Sequence, residues 1–301
     1  MNNPKEVTLI EVGPRDGLQN ESAFVPTAAK VALINALSHS GLKNIEVTSF
    51  VSPKAIPQLA DGETVLAEIE RVSGVHYSAL VPNEAGMLRA LAAGVENIAI
   101  FTAASEQFNQ RNIRCSIAES IERFRPVMAL ANAHGVRVRA YVSCVLGCPY
   151  EGEIKPAKVA EVTAMLLELG AGEISLGDTI GVGTPRQTEA LLKTMAHVLP
   201  AHQLAMHFHD TYGQAVANVS TSLDCGIRRF DSAVAGLGGC PYARGASGNV
   251  ATEDLLYLMH GLGMETGVDI YQVVSAGDAI CRVLQRKNQS KVANALLANP
   301  S

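Results

Sequence analysis

The stretch MHFHDTYG (206–213) places two of the chain's eight histidines two residues apart. In a β-strand, side chains at positions i and i+2 point to the same side, so His207 and His209 would face one common space. Neutral imidazole nitrogens are common ligands of divalent metals, and the pair therefore predicts a metal site. The alternative is a pair of core histidines that hydrogen-bond to neighbouring carbonyl groups.

Two further residues can complete a site of this kind. Asp16 supplies a carboxylate and Asn249 an amide oxygen, which gives a mixed set of nitrogen and oxygen donors. Such a set, with room left for substrate oxygens, favours octahedral Mg²⁺ or Mn²⁺ over a thiolate-rich zinc cage. Zinc stays open as an alternative on the strength of the histidines alone.

Other polar residues fall at or near the ends of the same predicted strands. They are Arg15, Glu46, Arg139, Tyr141, Asp178 and Cys240. Burying that many polar groups without a task is costly, so their convergence on one rim of the fold predicts an active site.

Cys240 stands in the segment AGLGGCPYARGASGN (235–249), which holds five glycines. A loop of this composition can move, and a thiol on a loop that closes over a metal site is a candidate acid, base or nucleophile. The alternative is a glycine-rich turn with an incidental cysteine. The other five cysteines are spread too widely for a disulfide framework and are expected to be unreactive.

Eight short β-rich segments alternate with segments of helical periodicity and would position these side chains. The predicted strands cover 7–13, 44–50, 75–82, 95–103, 136–145, 172–179, 203–210 and 228–236. The alternation predicts a (β/α)8 barrel, whose catalytic residues lie at the C-terminal ends of its strands. A doubly wound open sheet is the alternative, weakened because no glycine-rich phosphate-binding motif follows the first strand.

The helical sequence after residue 250 exceeds what a closed barrel needs. We expect a single catalytic domain over 1–301, with the barrel over about 5–262 and a C-terminal helical extension over about 263–301. Thr252 is predicted to N-cap the last barrel helix, with Glu253 and Asp254 in its first turn.

Composition narrows the class of protein. Hydrophobic residues make up 48% of the 301 residues, enough for a large core, and a net charge of −5 with scattered basic residues argues against a nucleic-acid partner. No apolar run is long enough to span a membrane. The N-terminal stretch lacks the pattern of a secretory signal, and with the dispersed cysteines this predicts a cytoplasmic protein.

Five stretches resemble the 3-hydroxy-3-methylglutaryl-CoA (HMG-CoA) lyases, members of a superfamily of metal-dependent lyase and acyltransferase barrels. They are EVGPRDGLQNE, EVTSFVSPKAIPQLAD, SLGDTIGVGTP, MHFHDTYGQAVANV and DSAVAGLGGCPYARGASGNVATED, which together extend over nearly the whole barrel. The last is the most specific, because the cysteine-bearing loop distinguishes the lyases from isopropylmalate synthase-like relatives that share RDG and HFHD.

The resemblance implies cleavage of HMG-CoA to acetyl-CoA and acetoacetate. It implies that Asp16, His207, His209 and Asn249 hold a divalent cation, with Mg²⁺ or Mn²⁺ expected. It also makes Arg15 the partner of the reacting carbonyl and Cys240 the catalytic thiol. Catalytic positions are further implied for Glu46, Asp178 and His207. The expected partner is a small acyl-CoA substrate, and the expected assembly is a homodimer.

Three alternatives remain beside this function. The chain could cleave a 3-hydroxy-3-alkylglutaryl-CoA with a longer side chain. It could instead run a condensation of acetyl-CoA with a 2-oxo acid, which the cysteine loop disfavours. A non-catalytic metal- or CoA-binding scaffold is expected to have lost Arg15 or Cys240, and the sequence retains both.

Overall fold

Eight parallel strands close into a barrel in the computed structural model, which describes residues 5–239 and 248–298. Each strand pairs with its neighbours in chain order, and β1 closes the barrel by pairing with β8. The strands are Thr8–Glu11 (β1), Asn44–Ser49 (β2), His76–Leu80 (β3), Asn97–Ala103 (β4), Arg137–Ser143 (β5), Glu173–Asp178 (β6), Leu204–Phe208 (β7) and Arg229–Ser232 (β8). The predicted (β/α)8 barrel is confirmed, with every strand shorter than its predicted segment.

Helices surround the barrel. They are Thr27–His39 (α1), Gly62–Glu68 (α2), Glu84–Ala92 (α3), Glu106–Ile113 (α4), Ile117–His134 (α5), Pro156–Leu169 (α6), Pro185–Met195 (α7), Ala215–Asp224 (α8), Thr252–Gly261 (α9), Ile270–Leu284 (α10) and Lys291–Ala298 (α11). Among the described residues, no helix combines the length and apolar character needed to cross a membrane.

Local sequence explains where helix α6 begins and ends. Pro156 stands at its first position, where a missing N–H costs nothing. Its buried stripe includes Val159, Val162 and Leu166, which face the barrel core. Gly170 then ends the helix in the left-handed conformation at φ 106°.

The C-terminal helices complete the outer layer. Helix α9 is the eighth barrel helix, and α10 packs against both α9 and α1. Helix α10 therefore lies between the last and first barrel helices, while α11 packs on α9 and α10. The predicted C-terminal helical extension is thus present as α10 and α11.

Thr252 does not N-cap α9, contrary to the prediction. The N-cap is Ala251, and Thr252 is the first helical residue. Its hydroxyl donates instead to Oε2 of Glu11 at 2.6 Å. The predicted acidic first turn of α9 is confirmed, with Glu253 and Asp254 in it.

Candidate metal and active site

Asp16, His207 and His209 meet at the C-terminal end of the barrel. One ligand atom from each lies within 4.8 Å of those from the other two. His207 lies in β7, His209 just beyond it, and Asp16 in a one-turn π-helix (13–17) after β1. The two Nε2 atoms of the histidines are 3.2 Å apart. Two ligands about 2.1 Å from one cation and at right angles would be about 3.0 Å apart, so this spacing suits a shared ion.

The charge states of these ligands also suit a cation. Burial alone would raise the pKa of Asp16, but the charges of Arg15 and the two histidines lower it to about 2. Burial lowers the pKa of His209 to about 4, assisted by His207. Near neutral pH, Asp16 is therefore an anion and His209 is a neutral imidazole with a free lone pair.

Asn249 joins this cluster through an isolated β-bridge to His209. Its amide nitrogen donates to Oδ2 of Asp16 at 2.9 Å and to the Leu237 carbonyl at 3.1 Å. Its amide oxygen is buried and has no hydrogen-bond partner among the described residues. A buried, unpaired carbonyl oxygen is costly unless a cation binds it, so the donor set fits a divalent ion.

A buried carboxylate supports His207 from behind. Asp231 lies opposite His207 in the register of β8 and β7, and its Oδ2 is 3.2 Å from Nδ1 of His207. Oδ2 also accepts a hydrogen bond from Ser175 at 2.8 Å, while Oδ1 accepts one from Arg139 at 2.5 Å. Such a carboxylate fixes the ring and leaves Nε2 as the metal-binding nitrogen. The sequence analysis missed Asp231, although it is the one acidic residue of the predicted strand 228–236.

Arg15 and Glu46 form a buried ion pair beside the metal cluster. The Arg15 Nε donates to Oε1 of Glu46, and Nη1 donates to Oδ1 of Asp16 at 2.6 Å. Tyr141 donates its hydroxyl to Oε2 of Glu46 at 3.0 Å. Glu46 is the third residue of β2, so it does not lie at the end of its strand as expected. The strand has a bulge directly after it. These contacts hold the guanidinium in one orientation, with Nη2 donating to no described residue.

Asp178 ends β6, as predicted. Its carboxylate accepts hydrogen bonds from the backbone of the loop that follows this strand. Oδ1 accepts the N–H of Val182 at 3.2 Å, and Oδ2 accepts that of Gly183 at 2.8 Å. Burial raises the pKa of Asp178 to about 6, although these backbone donors oppose the shift. Its position indicates that Asp178 shapes the loop after β6.

Cys240 lies outside the described residues, so its predicted role stays a prediction. The two ends of its loop, however, are described. Gly238 has φ 116°, and a Cβ there would lie 2.8 Å from the Asn249 amide nitrogen. A Cβ on Gly248 would lie 2.5 Å from the Gly236 carbonyl oxygen. Glycine at these positions lets both ends of the loop pack beside the proposed metal ligand Asn249.

Two further buried acids stabilise the base of this loop, a role that the sequence analysis assigned to neither of them. Glu11 accepts the N–H groups of Gly13 at 2.8 Å and Val234 at 2.9 Å, which links the turns after β1 and β8. Glu253 accepts the N–H of Ala235. Burial raises the pKa of Glu11 to about 7 and that of Glu253 to about 8.

A cavity of about 470 Å³ opens over the metal cluster. Arg15, Asp16, His207 and His209 line it, with further polar residues that include Gln19, Asn112 and Arg123. Its apolar lining residues include Val51, Ile56, Leu80, Phe101, Phe108 and Ile113. Tyr141 belongs to this cavity, but Arg139 does not, since it lines a cavity at the other end of the barrel. The expectation that Arg139 lies on the catalytic rim was therefore wrong.

The other cysteines show no sign of catalytic use. Cys115, Cys144, Cys148 and Cys281 are buried, and Cys225 is half-buried. Burial raises the pKa of Cys281 to about 11, which disfavours the reactive thiolate.

Comparison with known proteins gives consistent matches over the whole barrel. The HMGL-like family model matches residues 6–280. A Pseudomonas aeruginosa 3-hydroxy-3-isohexenylglutaryl-CoA/hydroxy-methylglutaryl-CoA lyase is 57% identical over 99% of both chains. A mitochondrial hydroxymethylglutaryl-CoA lyase from Bos taurus is 56% identical over 97% of this chain and 90% of the relative. The crystal structure of hydroxymethylglutaryl-CoA lyase from Pseudomonas aeruginosa superposes with a TM-score of 0.97 at 57% identity, covering 99% of both chains.

Proposed function

Because the chain belongs to the HMGL-like family, we propose that it cleaves HMG-CoA into acetyl-CoA and acetoacetate. The observation that carries this proposal is the placement of Arg15 directly beside Asp16, His207 and His209 in one cavity. The reaction breaks the bond between C2 and C3 of the acyl group. The C3 hydroxyl loses its proton and becomes a ketone, while the bonding electrons move to C2 and form a thioester enolate, which is then protonated.

A divalent cation held by Asp16, His207, His209 and Asn249 would chelate the substrate's oxygens and acidify its tertiary hydroxyl. We propose Mg²⁺ or Mn²⁺, because the set contains a carboxylate and an amide oxygen and no thiolate. Asp231 keeps His207 in the tautomer that presents Nε2.

Arg15 is proposed to stabilise the enolate. Arg15 is only 5% exposed, and its guanidinium is held by Glu46 and Asp16 before substrate binds. A fixed cation needs no reorganisation when negative charge develops on the thioester oxygen, which is where preorganised donors lower a barrier most. Glu46 and Tyr141 are then positioning residues that keep Arg15 in place.

Proton transfer is proposed to involve Cys240 or a histidine of the metal cluster. The proton removed from the C3 hydroxyl balances the one delivered to C2, so a single group could serve both steps. The resemblance of the segment around Cys240 to the HMG-CoA lyases is what makes this thiol a candidate for the step.

The apolar lining residues support a second substrate, a 3-hydroxyglutaryl-CoA with a longer C3 side chain. Six apolar side chains line the cavity that holds the metal cluster, so a side chain longer than methyl has apolar surface to contact. The Pseudomonas aeruginosa relative carries an isohexenyl substrate in its name. Each additional buried methylene contributes about 0.8 kcal/mol, so a longer chain could bind well here.

The test is to incubate purified protein with HMG-CoA and Mg²⁺ and to measure acetoacetate and acetyl-CoA. We expect equal amounts of the two products, and no reaction in the presence of a chelator. A parallel reaction with the isohexenyl analogue compares kcat/KM for the two substrates. Consumption of acetyl-CoA with a 2-oxo acid, without HMG-CoA cleavage, would favour the condensing alternative.

Two further expectations extend the proposal. We propose that the enzyme acts in the cytoplasm. Because the relatives include a mitochondrial enzyme, localisation of a tagged full chain is the test.

We also propose a homodimer. Its mass in light scattering should be twice 31.8 kDa.

A further inference from the structure

A second and larger cavity opens at the opposite end of the barrel, by the N-terminal ends of the strands. Its volume is about 720 Å³, against about 470 Å³ for the cavity at the metal cluster. The first residue of every strand except β7 lines it. The proposed lyase reaction makes no use of this lower cavity.

The lower cavity is basic in an acidic protein. Four cations line it (Lys43, Arg137, Arg139 and Arg229), against two carboxylates (Glu6 and Glu173). The whole chain, by contrast, has a net charge of −5. A concave surface with an excess of one sign raises the local concentration of oppositely charged ligands.

The carboxylates compensate only part of this charge. Glu173 lies between Arg139 and Arg229, with Nε to Oε distances of 2.8 and 2.7 Å. Arg139 is also paired with the buried Asp231. Arg139 and Arg229 are therefore largely neutralised by their neighbours.

Arg137 and Lys43 have no carboxylate partner among residues 5–239 and 248–298. Arg137 donates through Nε to the Asn97 amide oxygen at 2.7 Å, and its Nη2 is 3.0 Å from Nδ1 of His76. These exposed contacts orient the guanidinium and involve no carboxylate. A guanidinium held in this way is suited to bind an oxyanion with two parallel hydrogen bonds.

We propose that the lower cavity is a binding site for a small oxyanion, with Arg137 and Lys43 supplying the charge that holds it. Phosphate and carboxylate groups share the required chemistry, and the volume of the cavity allows a ligand larger than inorganic phosphate. The site is separate from the metal cluster, so the inference does not depend on the lyase activity.

Calorimetric titration of the Mg²⁺-saturated protein at constant ionic strength tests this site. Inorganic phosphate and succinate serve as separate probes for the two kinds of oxyanion. The informative variant is Lys43→Gln/Arg137→Gln, and the matched control is Arg123→Gln, which removes a cation that lines the upper cavity.

We expect wild type and Arg123→Gln to bind at least one of the two probes with similar affinity. The double variant should bind it at least about tenfold more weakly, because two charge-assisted contacts are lost, and should keep its basal lyase activity. Arg137→Glu should abolish binding. Equal affinity in wild type and the double variant, loss of binding in Arg123→Gln, or no binding of either probe to wild type would each overturn the proposal.

Discussion

Replacing Asp231 with asparagine tests how the buried carboxylate behind His207 supports metal binding. Asparagine keeps the size of the side chain and an oxygen that can accept from Nδ1 of His207, now 3.2 Å from Oδ2. What is lost is the negative charge and one acceptor oxygen, because the new NH₂ group would face Nη2 of Arg139 and cannot accept from it. Charge-assisted hydrogen bonds are roughly twice as strong as neutral ones, and removing such a support typically weakens metal binding by about 10- to 100-fold. We expect the lower end of that range because the hydrogen bond itself survives.

In Asp231→Asn, the free energy of unfolding should fall by less than is usual when one partner of a buried ion pair is removed. Arg139 would lose Asp231 but keep Glu173, whose Oε1 is 2.8 Å from its Nε. The loss should therefore stay below the about 3–5 kcal/mol typical of a buried charge left alone.

The assay is a competition titration of Mn²⁺ binding, with folding checked by circular dichroism. Ser175→Ala is the matched control, because Ser175 donates to the same carboxylate oxygen at 2.8 Å without carrying charge. Its metal affinity should change less than that of Asp231→Asn, because the negative charge behind His207 is retained. Equal metal affinity in Asp231→Asn, Ser175→Ala and wild type would refute the reasoning.

Three other predictions concern separate parts of the site. Arg15→Gln should retain bound metal while kcat falls by about 10²–10³-fold, since a preorganised donor to the enolate is lost; steady-state kinetics that show a raised KM with intact kcat would contradict this. A thiol alkylator should inactivate the enzyme, substrate should protect it, and Cys240→Ala should be folded but nearly inactive; normal turnover in that variant would make the thiol dispensable. Glu253 should destabilise the fold at high pH, because burial raises its pKa to about 8 from 4.5, so its favourable protonated state is lost as pH rises through about 8. Between pH 6 and 9, the Tm of Glu253→Gln should therefore fall less than the Tm of wild type or of the surface variant Glu161→Gln. Parallel curves of Tm against pH for the three proteins would contradict this role of Glu253.

The barrel and the histidine pair could be predicted because both depend on short periods in the sequence. Strand and helix segments alternate regularly, and a spacing of two residues places His207 and His209 on one side of a strand. The barrel topology then brings Asp16 to the same end.

The supporting contacts could not be predicted, because their partners are far apart in sequence. Arg139 and Asp231 are separated by 92 residues, and Glu11 and Thr252 by 241. Spacing alone also misplaced Arg139, since a long side chain in the middle of a strand can reach either end of the barrel. The structure shows that it lines the lower cavity, while its guanidinium reaches inward to Asp231 and Tyr141.

The central claim is that one divalent cation, held by the histidine pair, is required for cleavage of HMG-CoA. Metal-stripped protein should be titrated with Mn²⁺ while bound metal, by electron paramagnetic resonance, and acetoacetate formation are measured on the same samples. In wild type, activity should rise in proportion to bound Mn²⁺ and saturate at about one ion per chain, whereas His209→Ala should bind little metal and stay inactive. Full activity in the stripped protein, or full metal binding in His209→Ala, would contradict the account.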